Sequence, residues 1–190
     1  MFERVKVKGS FLDNKRVIIT AAPHQSSKDE YLMILMILAL DIDVCYLSAK
    51  WTMRRIPFPF IKPKDIDNQG IPWPLGWLQE IVFRKFGAIP VDRKGNSGQY
   101  DSVVQELLER DRFLLIITPE GRFDAIRFRS SFLYLAKELE AEVMPVQIDY
   151  EHDTLQFLDS LNLDGSEDEV IQRLRSCFDG VKGRKSRFKA

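Results

Sequence analysis

The 190-residue sequence has few cysteines, no excess charge and no long apolar run. Its two cysteines, Cys45 and Cys177, lie far apart and outside any CxxC spacing, which argues against a disulfide framework or a zinc site. Lys and Arg equal Asp and Glu at 28 each, so net charge does not favour a nucleic-acid partner. The longest apolar run, residues 31–40, is about half the length that spans a bilayer. We therefore expect a cytoplasmic protein, soluble or peripheral to the inner face of the membrane.

Four short runs predict buried strands, because their apolar residues are nearly continuous rather than alternating. These runs are residues 16–22, 43–49, 112–118 and 141–148. Helical patterns occur at residues 29–40, 98–110, 130–140 and 166–178. The last of them begins with a capping sequence at Ser166 and Glu169. Strands that alternate with helices predict an α/β fold, with one domain over residues 1–180 and a mostly parallel central sheet flanked by helices.

Two segments depart from this pattern. Residues 51–77 hold five prolines, three tryptophans and four basic residues, and proline at this density predicts an absence of regular helix or sheet. This insertion is interpreted either as a surface loop held by its aromatic side chains or as a loop that contacts a membrane interface or an acyl chain. Residues 181–190 form a tail with five cations and no acid, interpreted as a solvated terminus or as an arm that contacts anionic lipid.

The stretch after the first predicted strand holds His24, one of two histidines in the chain. His24 follows the carboxyl end of a buried strand, where open α/β sheets hold their ligands. Asp29, in the first turn of the next predicted helix and at capping-box spacing from Ser26, either stabilises the helix or fixes the tautomer of a catalytic imidazole. The other histidine, His152, lies among acidic residues and is interpreted as part of a polar surface loop rather than a metal site.

Two later stretches combine turn residues with charge. An extended run leads from Gly87 to Arg93, and Glu120 and Arg122 lie on a turn that contains proline and glycine. Taken singly, each is explained by a strand followed by a turn.

Taken together, these stretches resemble the motifs of the glycerolipid acyltransferase family typified by 1-acylglycerol-3-phosphate acyltransferase. The residues that resemble its His-x-x-x-x-Asp motif are His24, Ser26 and Asp29. Those that resemble its second, third and fourth motifs are Gly87 to Arg93, Thr118-Pro119-Glu120-Gly121-Arg122 and Val143-Met144-Pro145-Val146. The resemblance covers residues 15–150 and suggests a small bacterial-type member.

The third motif departs from the family pattern. It lacks the Thr or Ser that follows the glycine, and its arginine comes one place early. Either Arg122 fills the arginine role, or the loop is shifted and Arg127 or Arg129 fills it.

The resemblance implies transfer of a fatty acyl group from a thioester, acyl-CoA or acyl carrier protein, to a hydroxyl of a lysophospholipid or related phosphate-bearing acceptor at a peripheral membrane surface. It implies no bound cofactor and no metal.

The general base would be His24, oriented by Asp29. The residues expected to bind the acceptor phosphate are Arg93, Arg122 and, with less support, Lys50. The residues that support the motifs are Ser26, Glu120 and Gly121, with Glu120 expected to brace an arginine or the loop. An acyl-thioester hydrolase and a non-catalytic module that binds lipid or acyl carrier are the alternatives.

Overall fold

The most continuously apolar of the predicted strands, residues 16–22, lies in the middle of the sheet. In the computed structural model, which describes residues 6–10, 16–24, 44–56, 70–91, 100–120 and 128–183, strand β2 (Arg16–Ala22) is buried along all but its first residue. The other strands are β1 (Lys6–Lys8), β3 (Val44–Ala49), β4 (Arg55–Ile56), β5 (Ile71–Pro72), β6 (Ala88–Val91), β7 (Phe113–Ile117), β8 (Glu142–Asp149) and β9 (Thr154–Phe157). A strand buried on both faces needs apolar residues at nearly every position, and the sequence of β2 provides them.

The helices of the described residues connect these strands. They are α1 (Gly76–Lys85), α2 (Asp101–Leu108), α3 (Ser131–Glu138) and α4 (Glu167–Ser176), and a short 3₁₀ helix covers Lys50–Met53. All of the helices in this part of the chain are too short or too polar to cross a bilayer.

Seven strands form one sheet in the order β1-β9-β8-β2-β7-β3-β6, and β4 pairs with β5 in a separate hairpin-like sheet of two strands. The strands β8, β2, β7, β3 and β6 all run parallel. Strand β9 is antiparallel to β8, and β1 is parallel to β9. The five parallel strands therefore end on the same side of the sheet, which we call the carboxyl edge. Open α/β sheets bind their ligands at such an edge.

Each face of the sheet has its own apolar cluster, because successive side chains of a strand point to opposite faces. Ile18 lies in a cluster with Leu107, Leu135 and Leu174, which come from α2, α3 and α4. The opposite face carries Val17 and Ile19 of β2 together with residues of the neighbouring strands: Val44, Leu114, Ile116, Met144 and Val146.

The predicted fold class is confirmed: the described residues form an α/β domain with a mostly parallel sheet flanked by helices. The strand predicted at residues 16–22 has the predicted bounds. Strand β3 begins one residue later than predicted, and β7 and β8 each differ from prediction by one residue at both ends. The helices predicted at residues 98–110, 130–140 and 166–178 form but are shorter, as α2, α3 and α4. The predicted helix at 29–40 and tail residues 184–190 lie outside the described residues.

The predicted capping box of the last helix is confirmed. Ser166 Oγ accepts a hydrogen bond from the Glu169 N–H at 3.4 Å, and Glu169 Oε2 accepts one from the Ser166 N–H at 2.7 Å. The N–H and hydroxyl of Ser166 lower the pKa of the Glu169 carboxyl. Reciprocal bonds of this kind fix the first residue of α4.

The prediction that residues 51–77 lack regular structure is wrong for their described parts. The 3₁₀ helix, β4, β5 and the beginning of α1 all fall in this segment. Pro72 lies in a two-residue strand that, among the described residues, pairs with β4 alone, and a missing N–H is tolerated in such an edge position. Residues 57–69 of the segment lie outside the described residues.

Candidate active site

His24 lies at the carboxyl edge, two residues after the end of β2. The peptide bond between Ala22 and Pro23 is cis. Only 8% of His24 is exposed, so its ring is held within the protein rather than projecting into solvent. The burial of a titratable side chain at this edge makes His24 a candidate for chemistry rather than a turn residue.

Glu120 lies beside His24, although the two residues are far apart in the sequence. It follows the end of β7, the strand that pairs with β2 in parallel, with Thr20 opposite Ile117. Glu120 is 9% exposed, and its Oε2 accepts a hydrogen bond from the His24 main-chain N–H at 2.6 Å. A buried carboxylate requires donors of this kind, and a bond to a charged acceptor is short and strong. The contact fastens the loop after β7 to the loop after β2.

This contact bears on the role expected of Glu120. The sequence predicts that Glu120 braces the loop or an arginine rather than touching ligand. The main-chain bond from His24 is a bracing contact of the loop. The absence of a contact with ligand stays a prediction.

Arg129 lies at the carboxyl edge, beside the residues that follow β7. The Arg129 N–H donates a hydrogen bond to the Pro119 carbonyl at 2.8 Å, which places the main chain of Arg129 next to the residue that precedes Glu120. The Arg129 side chain is exposed. Of the three arginines considered for the third motif, Arg129 is the one within the described residues, whereas Arg122 and Arg127 lie outside them.

Lys50 occupies the next strand end along the edge. Strand β3, which neighbours β7, ends at Ala49, and Lys50 begins the 3₁₀ helix with its side chain exposed. The hydroxyl of Thr52 donates to the Ala49 carbonyl at 2.6 Å and lies 2.7 Å from the Ser48 hydroxyl, and these contacts fix the turn that carries Lys50. His24, Glu120 and Lys50 thus follow the ends of three adjacent strands, β2, β7 and β3.

The other predicted site residues lie outside the described part of the chain. These are Ser26, Asp29, Arg93, Gly121 and Arg122. The orientation of His24 by Asp29 and the phosphate contacts of the two arginines therefore stay predictions.

His152 lies in the turn between β8 and β9 and is exposed. Its Nδ1 is 2.6 Å from Asp149 Oδ2, and the N–H groups of Glu151 and His152 donate to Asp149 Oδ1 at 2.8 and 3.4 Å. Burial raises the pKa of the Asp149 carboxyl, but these hydrogen bonds together lower it below its usual value. The Tyr150 N–H also donates to the Lys182 carbonyl at 3.0 Å, so this turn is fastened to residues near the end of the chain.

Sequence reasoning missed Gln79, which organises the structure beside Lys50. Its Oε1 accepts a hydrogen bond from the Trp73 indole N–H at 2.7 Å. Its Nε2 donates to the carbonyls of Thr52 and Arg55 at 2.7 and 3.1 Å. One amide side chain thus joins α1 to the 3₁₀ helix and to the β4–β5 sheet. No sequence motif marks such a residue, because its three partners are Thr52 of the 3₁₀ helix, Arg55 of β4 and Trp73 of the segment between β5 and α1.

Comparison with known proteins assigns no family to this site. The chain matches no protein-family model and no curated protein.

Proposed function

We propose that the protein transfers a fatty acyl group from an acyl thioester to a hydroxyl of a phosphate-bearing acceptor such as a lysophospholipid. The observation that carries the proposal is the 2.6 Å hydrogen bond from the His24 N–H to Glu120 Oε2. It brings together the first and third motif-like stretches, which lie 96 residues apart in the sequence, at the edge of the sheet where ligands bind. The parallel pairing of β2 and β7 places the ends of these two stretches side by side.

The chemistry requires a base but no covalent nucleophile, because a thioester is already activated. His24 accepts the hydroxyl proton while the acceptor oxygen attacks the thioester carbonyl carbon. The carbon–sulfur bond then breaks, and the leaving thiolate takes the proton from the imidazolium. Proton transfer by a positioned side chain contributes about 10²–10⁴-fold to the rate. In this proposal Asp29 orients the imidazole.

The burial of His24 supports transfer over hydrolysis. His24 is 8% exposed as a residue, so it has little contact with bulk water. A bound hydroxyl is then the group from which the ring removes a proton, because the site limits the water that competes with it. A thioester hydrolase would need ready access of water to the same ring.

Two of the proposed phosphate contacts are described residues of the same edge. Lys50 and Arg129 are exposed cations there, and Arg93 and Arg122 join them by the resemblance of their motifs. Guanidinium groups bind phosphate oxygens through paired N–H donors, whereas Lys50 acts as a point charge. Glu120 remains engaged with the main chain of His24 and braces the loop.

The proposal is tested by identifying the product. Purified protein receives acyl-CoA or acyl carrier protein as donor and a panel of lysophospholipids and small alcohols as acceptors, and mass spectrometry follows the products. We expect an acylated phosphate-bearing acceptor. Free fatty acid without acylated acceptor would show a hydrolase instead, and bound lipid without turnover would show a binding module. Either result would overturn the proposal.

A further inference from the structure

Helix α1 turns an apolar side toward solvent. Trp77, Leu78, Ile81, Val82 and Phe86 are all exposed, and we call them the α1 face. Their spacing puts them on one side of the helix, since residues three and four apart are neighbours on a helical surface. Trp77 is 58% exposed and Phe86, directly after the helix, is 61% exposed. An amphipathic helix normally buries this side against its own domain.

The apolar surface continues onto the β4–β5 sheet. Ile56 and Ile71 are register partners in that sheet, and both are exposed, as is Leu75 just before α1. Gln79 fastens the sheet to the helix through the Arg55 carbonyl. Eight of the eleven large hydrophobic side chains that are exposed in the described residues belong to this one region. Contiguous apolar surface of this kind marks an interaction site rather than ordinary surface.

Cations border the apolar side chains. Arg54, Arg84 and Lys85 are exposed at the two ends of α1, and Arg55, the first residue of β4, is half-buried. Glu80 is the one acid among residues 50–56 and 70–86 of the described chain. It is bonded to both Arg54 and Arg84, and Arg54 contributes most to lowering the pKa of its carboxyl. The region therefore carries a net positive charge.

We infer that the α1 face docks on an anionic lipid bilayer. Tryptophan and phenylalanine beside Arg and Lys are the side chains that occupy the boundary between headgroups and acyl chains. Cations near an anionic membrane surface add electrostatic attraction, and the border of the α1 face supplies them. A protein partner with an acidic rim is less well matched, because it would also have to fill a face of bulky, closely spaced apolar side chains.

The position of the face fits a lipid-handling edge. The first turn of α1 lies near the carboxyl edge, because Gln79 donates to the Thr52 carbonyl there. The other end of α1 lies near the beginning of β3, where the Gly87 carbonyl accepts a hydrogen bond from the Tyr46 N–H at 2.9 Å. The α1 face therefore begins beside the strand end that carries Lys50. The sequence placed the expected membrane contact in residues 51–77, whereas the exposed apolar side chains extend mainly along α1. The inference concerns binding alone and stands without the proposed acyl transfer.

The test is co-sedimentation with vesicles. Wild type is compared with Ile81→Glu and Phe86→Glu on vesicles of phosphatidylcholine with phosphatidylglycerol and on vesicles of phosphatidylcholine alone. The matched control is Leu108→Glu, because Leu108 at the end of α2 is 43% exposed and distant from this region in the sequence. We expect the affinity of both α1 variants for the anionic vesicles to fall about tenfold or more, since a negative charge replaces an apolar side chain that lipid would bury. The control keeps wild-type binding. Equal binding by all four proteins would overturn the inference.

A further variant, which should increase binding to anionic vesicles, tests the role of the bordering cations. Glu80→Gln removes the one acid and releases Arg54 and Arg84, so binding to anionic vesicles rises while binding to neutral vesicles does not. A fall in binding, with the helix content unchanged by circular dichroism, would contradict the inference. Sedimentation velocity in the absence of lipid tests whether a second copy of the chain covers the α1 face instead. If Ile81→Glu converts an oligomer to a monomer, the face is an interface between copies and the inference is overturned. His24→Ala should bind vesicles as wild type does, which separates this test from the test of acyl transfer.

Discussion

Glu120 links two loops through a single carboxylate, and its contribution can be measured at the scale of one residue. We expect Glu120→Ala to lower the free energy of unfolding by about 1–3 kcal/mol, because the mutation leaves the buried His24 N–H without this acceptor. Acyl transfer should also fall, since the main chain that carries His24 is no longer fixed. Denaturant unfolding and kcat/KM measure the two effects.

Glu120→Gln is the matched control for that substitution. Its side-chain oxygen still accepts the His24 N–H, while the negative charge is lost. It should therefore keep more stability and activity than the alanine variant. If both variants behaved like wild type, the contact would have no structural or functional importance.

Asp149 offers a prediction about pH at the same scale. Hydrogen bonds from His152 and two N–H groups hold the pKa of its carboxyl below the usual 3.8 in spite of burial. Because the folded-state pKa is lowered, the carboxylate stabilises the fold at pH values above its ordinary pKa, and this stabilisation is lost as pH falls through the lower, folded-state value. Asp149→Asn should therefore show a smaller loss of stability between pH 6 and pH 3 than wild type. Urea unfolding at the two pH values provides the measurement, and an equal loss in both proteins would argue against the contact.

The sequence identified His24 because a histidine after a continuous apolar strand is unusual enough to notice. It did not identify the partner of the His24 N–H. That contact depends on β2 and β7 being neighbours with Thr20 opposite Ile117, which no local pattern specifies. Gln79 was missed for a related reason, since two of its partners belong to elements of two to four residues and the third, Trp73, lies in no regular element.

At the scale of elements, Gln79 joins three of them. Gln79→Ala removes the acceptor of the Trp73 indole and the donor to the Thr52 and Arg55 carbonyls. We expect a loss of about 1–3 kcal/mol in the free energy of unfolding, together with a red shift of tryptophan emission as Trp73 gains contact with water. Gln79→Glu keeps an acceptor for Trp73 but brings a carboxylate to two carbonyls, so it should destabilise the protein while retaining more of the Trp73 signal. Unchanged unfolding in both variants would contradict this role.

The elements that the sequence predicted share one physical property. Strands β2, β3, β7 and β8 lie inside the sheet, and much of each strand is buried. Their nearly continuous apolar residues therefore predict them from the sequence. Helix α1 was missed because its apolar residues follow a segment rich in proline and because that apolar side faces solvent rather than the core. Strands β1 and β9 have three and four residues, too few for a strand pattern to be recognised in the sequence.

At the scale of the whole molecule, the order of the strands produces the candidate site. The order β8-β2-β7-β3 brings the ends of three strands together, and these ends carry His24, Glu120 and Lys50. The alternation of strands and helices predicted an α/β fold, but the neighbours of each strand in the sheet could not be derived from it. A fold of this class hosts many activities, so the proposed activity depends on the residues at the edge and not on the architecture.

The most direct measurement compares the two histidines of the chain. The kcat/KM for acyl transfer to the best acceptor is determined for wild type, His24→Ala and His152→Ala, with folding checked by circular dichroism. We predict that His24→Ala loses about 10²–10⁴-fold, because the general base is gone, and that His152→Ala retains wild-type activity, because its imidazole lies on an exposed turn. Undiminished transfer by His24→Ala would contradict the account.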